Sequence, residues 1–154
     1  MDAPVINVDR LTDADTIALL QEHLQSMTLY SPPESIHALD LQQLRTPDLT
    51  FWTARVRGEL AGFGALKELD RQHGEIKSMR TASHFQRRGI ARSLLQHVLE
   101  VARQRGYRRL SLETGTHAAF QPAVGLYRQH GFESCGPFGA YQYDPYSMFM
   151  TRQL

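Results

Sequence analysis

The chain contains one cysteine, Cys135, and one tryptophan among its 154 residues, with only 11 glycines and 7 prolines. A lone cysteine excludes an internal disulfide framework and any multi-cysteine zinc site, and it agrees with a reducing compartment, so the cytoplasm is the default location. So few glycines and prolines, beside 42% hydrophobic and 21% charged residues, exclude a fibrous or disordered chain. No run approaches the roughly 18 consecutive apolar residues of a membrane span. The first residues, with Asp2, Pro4, Asp9 and Arg10, lack the apolar segment of a signal peptide. Membrane association and export are therefore not expected. A length of 154 residues suits one domain, 1–154, with one core.

What is present is unevenly placed. Residues 1–76 carry a net charge of −6, residues 77–109 one of +8, and residues 110–154 one of −1. The basic run comprises Lys77, Arg80, Arg87, Arg88, Arg92, Arg103, Arg105, Arg108 and Arg109. It reads either as a solvated helix face or as the footprint of a polyanionic ligand. Aromatics do not interleave with these charges and the first half is acidic, so a nucleic-acid partner is not expected. The seven histidines show no metal-ligand spacing, so no metal is expected, and Cys135, with no flanking base, reads as an inert thiol.

Val5, Ile6 and Val8 begin a strand running to about Leu11. Thr12-Asp13-Ala14-Asp15 then offers caps for a helix carrying Ile17, Leu19, Leu20, Leu24 and Met27. Ser31-Pro32-Pro33-Glu34 stops that helix and is placed to start a second, with Ile36, Leu39, Leu41 and Leu44. Residues 50–56 and 60–66 flank a turn at Gly58, and residues 75–81 add a third strand, giving an antiparallel meander. From Gly89 the period changes to that of a long amphipathic helix ending near Gly106. A strand at 110–114, a short helix at 123–130 stopped by Gly131, and strand-like pieces to Met150 complete the order. A mixed α/β (α+β) architecture with a parallel crossover through the central helix follows.

The segment Gln86-Arg87-Arg88-Gly89-Ile90-Ala91-Arg92 lies between the meander and the central helix. A helix start offers unpaired backbone N–H groups, Gly89 permits close approach of phosphate oxygens, and the arginines add charge, which together suit a pyrophosphate. Gln86-x-x-Gly89-x-Ala91 is similar to the acetyl-CoA signature of the GNAT superfamily of N-acetyltransferases. Ala123-x-x-Leu126-Tyr127 and Gly131-Phe132 also resemble the end of that family's pattern. The resemblance covers roughly residues 5–150. It implies the GNAT fold: a mixed, mostly antiparallel sheet of about seven strands with about four helices, its strands splayed at the cofactor site. It implies acetyl-CoA as co-substrate, held by Gln86, Arg87, Arg88, Gly89, Ile90, Ala91 and Arg92. The backbone of Met79, Arg80 and Thr81 lies in this family on a bulged strand that pairs with the pantetheine arm. Phe120 stands beside the cofactor where the family often has Asn, a departure that removes a side-chain amide. Some members dimerise, which leaves a homodimer open.

Acetyl transfer to an amine requires a neutral amine, a polarised carbonyl and a proton for the leaving thiolate. Glu75 and Glu113, on strands expected to run side by side and splay, are the candidate bases, Glu75 being placed first. The resemblance assigns Tyr127 as the acid that protonates the thiolate and the Met79 N–H as the donor to the acetyl oxygen. Tyr30, His37 and the stretch 136–144 are candidate linings of an acceptor pocket. The reading that results is an acetyl-CoA-dependent N-acetyltransferase acting on a primary amine of a small molecule by direct attack. The alternatives are a protein or peptide N-terminal or lysine acetyltransferase and a non-catalytic acyl-CoA sensor.

Overall fold

A computed structural model describes residues 3–37 and 39–154. Seven strands form one sheet: β1 (Val5–Val8), β2 (Leu49–Val56), β3 (Glu59–Asp70), β4 (His73–Thr81), β5 (Arg109–Gly115), β6 (Glu133–Cys135) and β7 (Ser147–Gln153). Their order is β1-β2-β3-β4-β5-β7-β6, and every pairing is antiparallel except β4 with β5. Among the described residues three α-helices accompany them: α1 (Ala14–Met27), α2 (Ile90–Gln104) and α3 (Gln121–Gln129). The fold class is the one implied by the resemblance, with three helices in place of about four.

The missing helix is the one expected after Ser31. Residues 33–35 and 43–45 form single 3-10 turns instead. Pro33 starts a turn that Ile36 ends by turning extended, at φ −92° and ψ 117°. The second turn is framed by reciprocal bonds: Gln43 N–H donates to Asp40 Oδ1 at 2.9 Å and Asp40 N–H to Gln43 Oε1 at 3.0 Å. Pro47 holds the preceding residue out of the helical region, so this turn cannot lengthen. Leu39, counted on the expected helix, lies in the irregular stretch between the two turns and packs, partly buried, against the cluster that holds Leu11 and Leu44. β1 is also shorter than its apolar pattern, because Asp9 Oδ1 accepts from Leu11 N–H at 2.7 Å and Leu11 takes φ +60°. Asp13 sits at the N-cap of α1 but makes no capping bond; its carboxylate approaches Arg55 at 3.5 Å.

Strand alternation divides the core in two. Trp52, Leu66, Ile76, Leu110, Leu112 and Met150 face Leu95, Val98 and Leu99 of α2 and Val124 of α3. Phe51, Phe63 and Ala65 face the other way, against Leu19 and Leu20 of α1 and the buried Leu11 and Leu44. The central helix is the crossover that the parallel β4–β5 pair demands, placing the loop before it at the same end of the sheet as the C-terminal end of β4.

Candidate active site

The loop before α2 has an anion-binding conformation. Arg87 and Gly89 both take left-handed φ, +63° and +81°, and Gly89 is the N-cap of α2. The first helical bond runs from Ser93 N–H to Gly89 O, so the N–H groups of Ile90, Ala91 and Arg92 have no intrahelical acceptor. A Cβ placed on Gly89 would meet nothing within 4 Å, so the space over the loop is open to a ligand. A hollow of about 600 Å³ lies here between the starts of α2 and α3, lined by Arg87, Gly89, Ala91, Arg92 and Gly125 among others. Arg88 lies over the Phe85 ring at 5.7 Å, which steadies its cation at the rim.

The sheet opens beside this loop. β4 and β5 are paired only from His73↔Arg109 to Ile76↔Leu112. Beyond that point β4 runs on to Thr81 against β3 and β5 runs on to Gly115 against β7. The register between β3 and β4 passes from Leu66↔Ile76 to Ala65↔Ser78, so Lys77 is an extra residue on β4. The bulge thus falls just before Met79, Arg80 and Thr81, which leave the β5-facing edge of β4 without a strand partner. The resulting cleft has a volume of about 800 Å³ and extends from Gln86 and Tyr127 past Met79 and Glu113 to Tyr30, Ser35 and His37.

Glu75 and Glu113 lie on neighbouring strands but have different surroundings. Glu75 is 3% exposed, and its Oε2 accepts from Tyr141 Oη–H at 2.5 Å and faces Lys77 Nζ at 3.4 Å. Lys77 Nζ in turn donates to Tyr141 Oη at 2.7 Å. Burial and the Glu75 carboxylate push the Tyr141 phenol well above its usual range. This triad borders a second cavity of about 570 Å³, formed with Glu34, His37 and residues 139–144. Glu113 instead lines the open cleft. Burial pushes its carboxyl up to about 7, against the opposing pull of the Ser147 hydroxyl and the Lys77 ammonium.

Tyr127, on α3, closes the opposite wall. Its ring meets Phe132 edge-on at 5.8 Å, and burial pushes its phenol up to about 12. Phe120 lies at the cleft mouth, edge-on to Tyr30 at 5.7 Å. It rests where a Cβ on Gly115 would collide with its ring, so that glycine admits the aromatic that stands in place of the family's Asn.

The profile of the family described as "Acetyltransferase (GNAT) family" matches residues 17–132. The chain is 58% identical over 149 residues to the "Uncharacterized N-acetyltransferase YsnE" of Bacillus subtilis (strain 168), covering 97% of this chain and 99% of that one. The chain belongs to the GNAT acetyltransferase family. It is accordingly an acyltransferase of the N-acetyltransferase type. This GNAT protein is also 39% identical over 145 residues to the "IAA acetyltransferase" of Azospirillum brasilense, with 94% and 93% of the two chains covered. A crystal structure of a GNAT family acetyltransferase from Elizabethkingia anophelis with acetyl-CoA bound shares its fold. The TM-score is 0.71, the identity 20%, and 100% of each chain is covered.

Met79, Arg80, Gln86, Glu113, Phe120 and Tyr127 all line the large cleft of this GNAT protein, and Thr81, Arg87, Gly89, Ile90, Ala91 and Arg92 line the hollow at the starts of α2 and α3. Glu75 lines the second cavity, which shares His37 and Lys77 with the cleft. Tyr30 and His37 both line the cleft, and Ser35 Oγ–H donates to Asp144 Oδ2 at 2.6 Å, tying the 33–35 turn to the C-terminal stretch. Lys77 entered the sequence reading only as part of a basic run, and His23 and Ser78 not as site residues at all. The available signal was His23 within the apolar face of α1, three residues after Leu20, where a polar side chain needs a partner. Among the described residues no helix is long and apolar enough to cross a membrane.

Proposed function

We propose that this protein transfers the acetyl group of acetyl-CoA to the primary amine of a small molecule by direct attack. The observation that carries the reading is the parting of β4 and β5 at Lys77, with Glu113 on one wall and Tyr127 on the other. The acetyl-CoA held by the Elizabethkingia relative supports the choice of co-substrate. The residues here fit it: an open glycine cradle at Gly89, three arginines at the start of α2, and a strand edge free to pair with amides. The thioester supplies an activated acetyl carbonyl. Its pyrophosphate is suited to the N–H groups of Ile90, Ala91 and Arg92 with Arg87 and Arg88, its pantetheine amides to the backbone of Met79–Thr81.

Glu113 is the general base. A carboxyl near 7 is part ionised at neutral pH, so it can accept an ammonium proton and leave the amine free to attack. Glu75 takes a positioning role, because its carboxylate is already engaged by Tyr141 and Lys77. Tyr127, held protonated by its burial, donates to the departing thiolate, and the Met79 N–H stabilises charge developing on the acetyl oxygen. The bracing of residues 33–37 against 141–144 narrows the acceptor end, which favours a small molecule over a protein chain. The lone cysteine supports a cytoplasmic setting.

The test is coenzyme A thiol release from acetyl-CoA across small amines, amino acids and peptides with free N-termini or lysines, with the product identified by mass spectrometry. Release dependent on a small amine, with an acetylated product, is expected. Transfer to peptides alone would contradict the acceptor class, and binding of acetyl-CoA without transfer to any amine would contradict the catalytic reading.

A further inference from the structure

The wall of the cleft made by α1 and β4 holds polar atoms that acetyl transfer does not use. His23 Nδ1, Ser78 Oγ and Arg80 Nε are buried without a hydrogen-bond partner among the described residues. His23 is 7% and Ser78 4% exposed, and all three residues line the cleft. Strand register places them together. Ser78 lies opposite Ala65 and Arg80 opposite Phe63 on the α1 side of the sheet, and the Phe63 ring meets His23 edge-on at 5.6 Å.

The guanidinium is fixed from outside. Arg80 Nη1–H donates to Ser26 Oγ at 3.1 Å and Nη2–H to Glu22 Oε1 at 3.1 Å, while Ser26 Oγ–H donates to His23 O at 2.7 Å. Glu22, more than half exposed, takes a terminal nitrogen from the rim and leaves Nε–H without a partner. Arg80 Nε is a donor only, a serine hydroxyl can donate, and a neutral histidine can carry its proton on Nδ1. Burial and the Arg80 charge hold His23 neutral, its pKa pushed down to about 4. Three buried groups able to donate and left unpaired beside a cation call for an anionic ligand with several acceptor lone pairs. A polyamine would bring further positive charge against Arg80 and would leave the arginine donor unmet.

We propose that the acceptor is an amino acid whose carboxylate is held by Arg80, Ser78 and His23 while its amine lies toward Glu113. The proposal rests on the small-amine reading above and deepens it. The carboxylate oxygens accept from Arg80 Nε–H, Ser78 Oγ–H and His23 Nδ1–H. The reacting amine loses its proton to Glu113 and forms the new amide as the thioester C–S bond breaks, with the thiolate protonated by Tyr127.

The experiment measures acetyl-CoA-dependent thiol release for each of the common amino acids, for its carboxamide and for its decarboxylated amine. The best amino acid is expected to exceed its carboxamide in kcat/KM by about 10- to 100-fold, as a charge-assisted contact provides. Arg80→Met is expected to collapse that ratio toward one through KM for the acceptor. Ser78→Ala, a smaller change, lowers the ratio severalfold should the arginine variant fail to fold. A carboxamide or amine that reacts as well as its amino acid overturns the carboxylate assignment and leaves the small-amine reading standing. A ratio unchanged in both variants overturns the site. Reaction of none of the three compound types overturns both readings.

Discussion

Glu113 and Tyr127 line one cleft, and the proposed mechanism gives these two ionisable side chains opposite duties. Burial raises both, but a carboxyl near 7 can take a proton at neutral pH, whereas a phenol near 12 can only give one. Glu113→Gln is expected to lower kcat/KM by about 10²- to 10⁴-fold and to remove the rise in activity through about pH 7. The same substitution has a stability signature. Folding raises this carboxyl above its ordinary 4.5, so between about 4.5 and about 7 the folded chain holds a proton that the unfolded chain has lost. Stability therefore falls as pH rises through that window, and the loss persists above it. Glu113→Gln should regain about 1–2 kcal/mol at pH 8 and almost nothing at pH 4, which denaturant titrations at the two pH values would detect. Tyr127→Phe keeps the ring packing against Phe132 and removes the proton, so kcat should fall by about 10²-fold or more with the acetyl-CoA dissociation constant nearly unchanged. Full turnover in that variant would sink the acid assignment.

Elements explain where the site lies. The bulge at Lys77 ends the β4–β5 pairing, and the crossover brings the start of α2 to the same end of the sheet. Gly89 must take φ +81° there, a conformation that costs a residue with a Cβ about 1 kcal/mol or more. Gly89→Ala is therefore expected to weaken acetyl-CoA binding by about tenfold while leaving the acceptor KM little changed, since no atom lies close enough for a clash to disturb the core. Calorimetric titration with coenzyme A checks this. Much of this level was legible beforehand: alternation marked the meander, the change of period after Gly89 marked α2, and the glycine-arginine loop marked the anion site. The helix expected after Ser31 was not, because residues 36–44 are apolar without a steady helical period and Pro47 truncates the turn. Nor could strand spacing reveal that Glu75 is engaged by Tyr141, a partner 66 residues away brought over the sheet by the C-terminal stretch.

At the scale of the molecule, the basic run divides. Arg87, Arg88 and Arg92 stay at the start of α2, while Lys77 pairs with Glu75 and Arg80 with Glu22. Arg103 approaches Glu100, and Arg105 Nη2–H donates to Thr50 Oγ1 at 2.8 Å, both at the far end of a helix about 22 Å long. Arg108 and Arg109 line a separate hollow with Asp70 and His73. A charge of +8 read along the sequence is thus three arginines at the start of α2, with the other cations spread over local pairings and a separate hollow. The cofactor should accordingly contact two short stretches of chain. Hydrogen exchange with and without acetyl-CoA measures this most directly. The account predicts protection concentrated at residues 77–81 and 87–92, the parted edge of β4 and the start of α2. Protection centred on the hollow of Arg108 and Arg109, or none at saturating acetyl-CoA, would contradict it.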